Sequence, residues 1–385
     1  MDLPQFLLSL IVIYGSARLF GELAVRLGQS AVLGELLAGV LVGGSVLGWV
    51  EPTETLKLMG EIGVILLLFE IGLESDLQAF LKVGWSASAV ATIGVVTPFA
   101  LGYGLAAMLN MTPLQAVFVG ATLAATSIAV SARTLDDLGR LTSVEGNIIL
   151  GAAVLDDILG LIILSVVVGL AHTGSVSWLD AGQTAGVAVL FLVGAIVLGG
   201  RYAHWFGSLV GWMRHRGRLI VAAVTFALAL GYAGTLVHLA PLIGAFAAGL
   251  ILARAEHQIH LGEHIKPVAD IFVPIFFVLT GAAVDLGSLN PFSEQNWPVL
   301  LLTGGLTVAA ILGKLLAGLG AREARVNRWV IGAGMLPRGE VGLIFAGVGL
   351  TSAIISTAEY GAILVVVAIT TLLSPLLLKW FFKAA

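Results

Sequence analysis

The chain is a succession of long apolar runs separated by short polar breaks. A transmembrane helix needs about 20 mostly apolar residues. Thirteen runs reach that scale, near 4–25, 31–49, 57–74, 84–109, 112–135, 146–171, 179–200, 217–237, 239–255, 267–287, 297–320, 327–350 and 357–381. Several connections are only a few residues long, marked by Asn110-Met111-Thr112-Pro113 or Ala240-Pro241. The longest polar connections, around 201–218 and 256–266, are too short for a soluble domain. The first run contains Arg18 and Glu22 and is followed by no small-residue cleavage site, so it is expected to remain as a helix rather than to be removed as a signal peptide.

Composition agrees with this pattern. Of 385 residues, 58% are apolar and 11% charged, with a mean hydropathy of +1.04. A soluble domain carries roughly 25% charge, so an ordinary soluble enzyme and a disordered chain are excluded. The net charge of −4 provides no basic field to attract nucleic acid. The absence of cysteine rules out a disulfide scaffold, a thiolate metal site and a cysteine nucleophile, and leaves the redox compartment open. The 49 glycines suit closely packed membrane helices.

The basic residues test the segment map. In the even-numbered connections there is one, Lys57, and three more (Arg18, Lys314 and Arg338) lie inside apolar runs. The other fifteen of the 19 fall in the odd-numbered connections or near the C-terminus. By the positive-inside rule this predicts an outside N-terminus and a cytoplasmic C-terminus.

The chain also repeats itself. Ala31–Gly39 lines up with Pro241–Gly249 at an offset of 210 positions, Gly72–Leu77 with Gly281–Leu286 at 209, and Val119-Gly120-Ala121 with Ile331-Gly332-Ala333 at 212. The copies are seven segments apart, an odd number, so the second is inverted in the membrane. Inverted repeats are the mark of many secondary transporters.

Charges inside apolar runs need a partner or a task. Asp156 and Asp157 lie in mid-segment, with Leu150–Leu155 before them and Ile158–Leu164 after them. Adjacent helical residues point about 100° apart, so both carboxylates can face one cavity while serving different partners. Burial and mutual repulsion disfavour the doubly ionised pair. Such a group holds either a proton or a hard cation, and that competition is the chemistry of an antiporter. Lys314 is again in mid-segment, and one of the two aspartates is its natural partner. Cation binding that broke the pair would release the lysine proton too.

Met335–Gly342 contains Pro337, Arg338, Gly339 and Glu340. Proline and glycine predict an interruption of that helix, tolerated where it faces protein or water. Its repeat partner, Ala124–Ser131, carries hydroxyls instead. Two interrupted helices crossing near the midplane would place opposed dipole ends beside Asp156 and Asp157, with Thr126 and Ser127 offering oxygens to a dehydrated cation. Arg338 and Glu340 read as a supporting network. Glu70 is expected to pair with Arg338 or another base, or to line the cytoplasmic entry, and Glu35 reads as structural.

These residues resemble the cation/proton antiporter superfamily, especially bacterial Na+/H+ antiporters with an Asp-Asp pair. The resemblance rests on Gln29–Gly39, Phe69–Glu74, Ala125-Thr126-Ser127, Ala153–Asp157, Pro274–Phe277 and Pro337–Leu343. It implies an all-α polytopic membrane protein of thirteen helices, with two inverted repeats, forming a homodimer in the cell (inner) membrane. Residues 1–83 and 217–296 would form the dimerisation domain, 84–178 and 297–385 the ion-transporting core, and 179–216 the linker helix. The core would move elevator-like against the dimer domain. Asp157 matches the family's cation and proton carrier, and Asp156 the carboxylate paired with Lys314. Members with this set exchange two protons for each sodium. No cofactor is implied; the substrates are Na+ and H+, with Li+ or K+ as alternative cations. The sequence departs from the family's usual Gln-Pro at Ser30, and some relatives lack a glutamate at Glu70. Potassium-efflux relatives carry Gln-Asp in place of Asp-Asp and an appended nucleotide-binding domain. The competing readings are a sodium-coupled solute symporter of similar architecture, a passive channel and an intramembrane aspartyl protease. The protease needs carboxylates opposed from separate elements, whereas Asp156 and Asp157 are neighbours.

Overall fold

The computed structural model describes residues 2–75, 77–173, 179, 182–195, 197, 218–237, 239–253, 258–284 and 297–383. All regular structure among them is helical. In chain order the helices are α1 (Leu3–Arg26), α2 (Ala31–Val42), α3 (Glu54–Glu74), α4 (Leu77–Lys82), α5 (Gly84–Met108), α6 (Pro113–Ala124), α7 (Ile128–Asp137), α8 (Val144–Thr173), α9 (Gly182–Ala195), α10 (Arg218–Leu236), α11 (Pro241–Leu252), α12 (Gln258–Ala282), α13 (Trp297–Ala317), α14 (Arg328–Gly334), α15 (Glu340–Thr351) and α16 (Thr357–Lys383). Among the described residues, eight stretches are long and apolar enough to cross a membrane, including Leu3–Arg26, Gly84–Met108 and Thr357–Lys383.

Local chemistry sets the helix limits. Asp2 caps α1 by accepting from the Gln5 amide, and Pro4 sits in its first turn. Thr112 and Gln115 form a reciprocal capping box on α6. The second apolar run was expected to stay helical to residue 49, but α2 stops at Val42. Gly43-Gly44 follow it, and the chain then turns through Gly48 at φ 64°, a left-handed conformation that glycine adopts without strain.

Two helices are interrupted. Between α6 and α7 the chain is extended at Ala125 and Ser127. Between α14 and α15 lie Met335–Gly339, including Pro337, which has no N–H to offer. In both cases a helix resumes within a few residues.

The helices pack in two groups. α1, α2, α3, α10, α11 and α12 contact one another, and α5, α6, α8, α13, α15 and α16 form the other set. The groups meet where α7 touches α2 and α3, and where α16 touches α2. In the first group backbones approach so closely that only glycine fits. A Cβ on Gly34 would strike the Phe20 carbonyl oxygen, and one on Gly244 the Leu230 carbonyl oxygen, 210 positions further in both partners. Gly39 meets Gly281 in the same manner, and Gly249 meets Gly72. Membrane helices associate through such small-residue contacts, since water provides no hydrophobic drive between them.

Gly39→Val is therefore expected to lower the thermal unfolding midpoint of the purified protein, by the equivalent of about 1–3 kcal/mol for overpacking or more. Gly15→Val, at a position with open space around it, should leave the midpoint within a degree or two of the parent, on the order of an ordinary surface change.

Candidate functional site at two interrupted helices

Each break satisfies the other's backbone. The Ser127 N–H donates to the Pro337 carbonyl at 2.8 Å. The Ser131 hydroxyl donates to the Gly334 carbonyl at 2.5 Å, and the Thr126 hydroxyl to that of Met335 at 3.3 Å. In return, Arg338 Nη1 donates to the carbonyl of Ala125, the extended residue that follows α6, at 2.7 Å. Backbone groups freed away from water need such partners. Ser127 lies so close to Gly339 that a Cβ there would sit 2.8 Å from its hydroxyl oxygen.

The second cation at this crossing is Lys314 of α13. Its Nζ donates to the Ala124 carbonyl at 2.5 Å, to Thr126 Oγ1 at 2.6 Å and to Asp156 Oδ1 at 3.2 Å. An ammonium has three donors, and all three are used. Lys314 is 0% exposed and Asp156 1%. The positive charge also caps the carboxyl end of α6, where the helix dipole favours it. The second oxygen of Asp156 has no hydrogen-bond partner among the described residues. Asp157, the next residue of α8, is buried beside this cluster.

A cavity of about 700 Å³ leads towards the crossing. Exposed Lys57, Glu61 and Thr235 line it at one end of the molecule, and buried Ser127, Arg338 and Gly339 line it inside. The Ser127 hydroxyl and the Nε and Nη2 of Arg338 have no protein partner among the described residues. They give the inner end of a largely apolar cavity a polar floor. Asp156, Asp157 and Lys314 are not among its lining residues.

The structure thus brings Asp156, Asp157, Lys314, Thr126, Ser127 and Arg338 to one crossing. Glu70 does not join them. It is buried and pairs with Lys266 of α12 at 3.6 Å. Glu340 opens α15; its side chain lies outside the described residues. Two residues of α16 were missed by sequence reasoning. Thr371 Oγ1 accepts from the Arg338 N–H at 3.2 Å and donates to the Arg338 carbonyl at 2.9 Å. Ser374 donates to the Ala333 carbonyl at 2.9 Å. Their spacing of three on one helix face was the available signal.

A membrane-spanning helical fold with buried charges held between two interrupted helices defines the class as a secondary transporter. Residues 8–384 match the family described as sodium/hydrogen exchanger, transmembrane, and the chain belongs to that family. It is 42% identical to the high-affinity Na+/H+ antiporter NhaS3 of Synechocystis, over 100% of this chain and 91% of that protein. It is 37% identical to the Na+/H+-K+ antiporter GerN of Bacillus cereus, over 99% of this chain and 97% of GerN. The fold is similar to that of the sodium proton antiporter MjNhaP1 from Methanocaldococcus jannaschii, with a TM-score of 0.68 and 19% identity, covering 96% of this chain and 95% of that one.

Thr371→Val keeps the shape but leaves both backbone groups of Arg338 without that partner. Leaving buried polar groups unsatisfied costs about 1–3 kcal/mol each, so thermal unfolding should occur at lower temperature. Thr371→Ser, which keeps the hydroxyl, should recover most of the loss.

Proposed function

We propose that the protein is a secondary-active Na+/H+ antiporter in which Asp157 carries either the cation or a proton. The observation that carries this reading is Lys314, whose ammonium sits on a carboxylate, a hydroxyl and a carbonyl oxygen at once. That is the type of oxygen shell a dehydrated hard cation uses. The positive charge holds the site together when no sodium is bound. Sodium arriving at Asp157 adds a charge that the neighbouring ammonium opposes, which favours loss of a proton from the lysine as well as from Asp157. Two protons leaving for one sodium entering would make the exchange electrogenic. Asp156 positions Lys314 and is a second oxygen source for sodium, with Thr126 and Ser127 supplying hydroxyls.

In this reading the cavity opens to the outside, because Lys57 and Thr235 lie at the end opposite most of the basic residues. The N-terminus is then outside and the C-terminus cytoplasmic, in the cell (inner) membrane. The helices that carry the two breaks form the mobile core, residues 84–178 and 297–385. The glycine-crossed group, residues 1–83 and 217–296, forms the scaffold and dimerises, and 179–216 links the two. The core carries the ion past the scaffold in an elevator movement. GerN's description as a Na+/H+-K+ antiporter favours K+ as a second transported cation.

In proteoliposomes with a preset pH gradient, sodium alone should dissipate that gradient with no organic solute present; no response would defeat the antiport reading. Asp157→Asn is expected to reduce exchange to the level of empty liposomes while the protein stays monodisperse, and wild-type-like exchange would remove Asp157 as carrier. Lys314→Gln should retain some exchange but move less charge per sodium. Because it strands Asp156, it should also cost about 3–5 kcal/mol of stability, read as a lowered unfolding midpoint.

A further inference from the structure

A second charged cluster lies at the end of α7, and the exchange site does not use it. Arg133 Nε pairs with Asp137 at 3.3 Å, and its Nη2 reaches Asp270 of α12 at 3.7 Å. The other carboxylate oxygen of Asp137 accepts from the Ser30 hydroxyl at 2.7 Å. Lys266 of α12 lies 3.9 Å from Asp136 and 3.6 Å from Glu70 of α3. The side chains of Arg133 and Asp137 are 15% and 14% exposed, and that of Glu70 is 4%. Charges as sheltered as those of Arg133, Asp137 and Glu70 are poorly screened, and losing a partner is costly; Asp270 and Lys266, at 36% and 48% exposed, are partly open to water.

The placement of this cluster is what matters. α7 continues directly from the break that carries Thr126 and Ser127. Its partners Ser30, Glu70, Lys266 and Asp270 all belong to the glycine-crossed group. Lys57 lines the cavity and Glu70 belongs to the cluster, thirteen residues further along α3, or about 20 Å by helix rise. The cluster therefore lies towards the end of the molecule opposite Lys57 and the cavity mouth. Any displacement of α7 along α2, α3 and α12 must separate Arg133 from Asp270, Asp137 from Ser30, and Asp136 from Lys266 together.

Ser30 is also where the sequence departs from the Gln-Pro of the family it resembles. Its hydroxyl both accepts from the Val32 N–H at 3.2 Å, capping α2, and donates to Asp137. A proline there has no hydroxyl to donate.

We propose that Ser30, Arg133, Asp137, Asp270 and Lys266 form a releasable ion lock that holds the cytoplasmic side shut while the cavity is open to the outside. This rests on the antiport reading and on motion of α7 relative to α2, α3 and α12. The lock sets how the molecule divides between its two access states, and so sets the exchange rate without touching the transported ion.

The absence of native cysteine makes the test direct. In Ser30→Cys/Asp137→Cys, oxidation should cross-link α2 to α7 and stop exchange, and reductant should restore it. A chain that forms no cross-link, or exchanges at the same rate when cross-linked, overturns the proposal. Separately, Ile344→Cys, on the cavity wall and half exposed, reports outside access through its labelling rate with a membrane-impermeant maleimide. Arg133→Gln should slow that labelling about fivefold, within the range of a typical coupling between states, and Ser30→Pro should slow it less. The swapped pair Arg133→Asp/Asp270→Arg, which restores an opposite-charge contact between α7 and α12, should recover most of the parent rate, which separates a lock from a folding defect. Unchanged labelling in both single variants overturns the lock. Labelling needs no ion gradient, so that result would leave wild-type exchange standing, whereas absence of wild-type exchange defeats the antiport reading however the labelling behaves.

Discussion

Breaking a helix in apolar surroundings frees carbonyls and N–H groups that bulk water does not reach. Two cations answer that constraint at the end of α6. Lys314 takes the Ala124 carbonyl and Arg338 the Ala125 carbonyl. The ends of α14 and α15 are answered by hydroxyls, from Ser131 on the facing break and from Thr371 and Ser374 on α16. Every other feature of the site follows from this arrangement. Lys314 is placed by a carbonyl that must be satisfied, and Asp156 then neutralises the lysine. The freed hydroxyl of Thr126 completes the ammonium's contacts. A group that stabilises the fold is in this way also the group a transported cation would compete with.

The surrounding packing gives that site a frame. Backbone-to-backbone glycine crossings join α2 to α12 and α3 to α11, so those helices behave as one unit. The helices carrying the breaks pack mainly with each other, around Phe118, Leu306, Phe345 and Val366. The charged end of α7 is the polar bridge between the two sets. The proposed exchange site and the proposed lock lie at the two ends of α7, so a displacement of that helix would move both.

Much of this was legible in the sequence because ionisable residues in apolar runs are scarce. Asp156, Asp157 and Lys314 stood out against Leu, Ile, Ala and Gly, and few partners were available to a buried lysine. The second break announced itself through Pro337 and Gly339. The first has neither residue and could be read only through its repeat partner. Other features were hidden for physical reasons. Glu70 was free to pair with several bases, because sequence does not give the register of α12 against α3; Lys266 read as part of a polar connection. Thr371 and Ser374 were hidden because hydroxyls in membrane helices usually bond back to their own helix, as Thr370 does to the Val366 carbonyl at 2.7 Å. The early end of α2 was masked by the apolar composition of the turn after Val42.

If sodium and the Lys314 proton compete for one oxygen cluster, binding of the one must release the other. The number of protons released per sodium bound by purified protein reports that competition. It can be obtained calorimetrically in buffers of different ionisation enthalpy, for the wild type and for Lys314→Gln. The wild type should release more protons per sodium than the variant, with Asp157 as the remaining source in the variant. Equal release from the two proteins would contradict it.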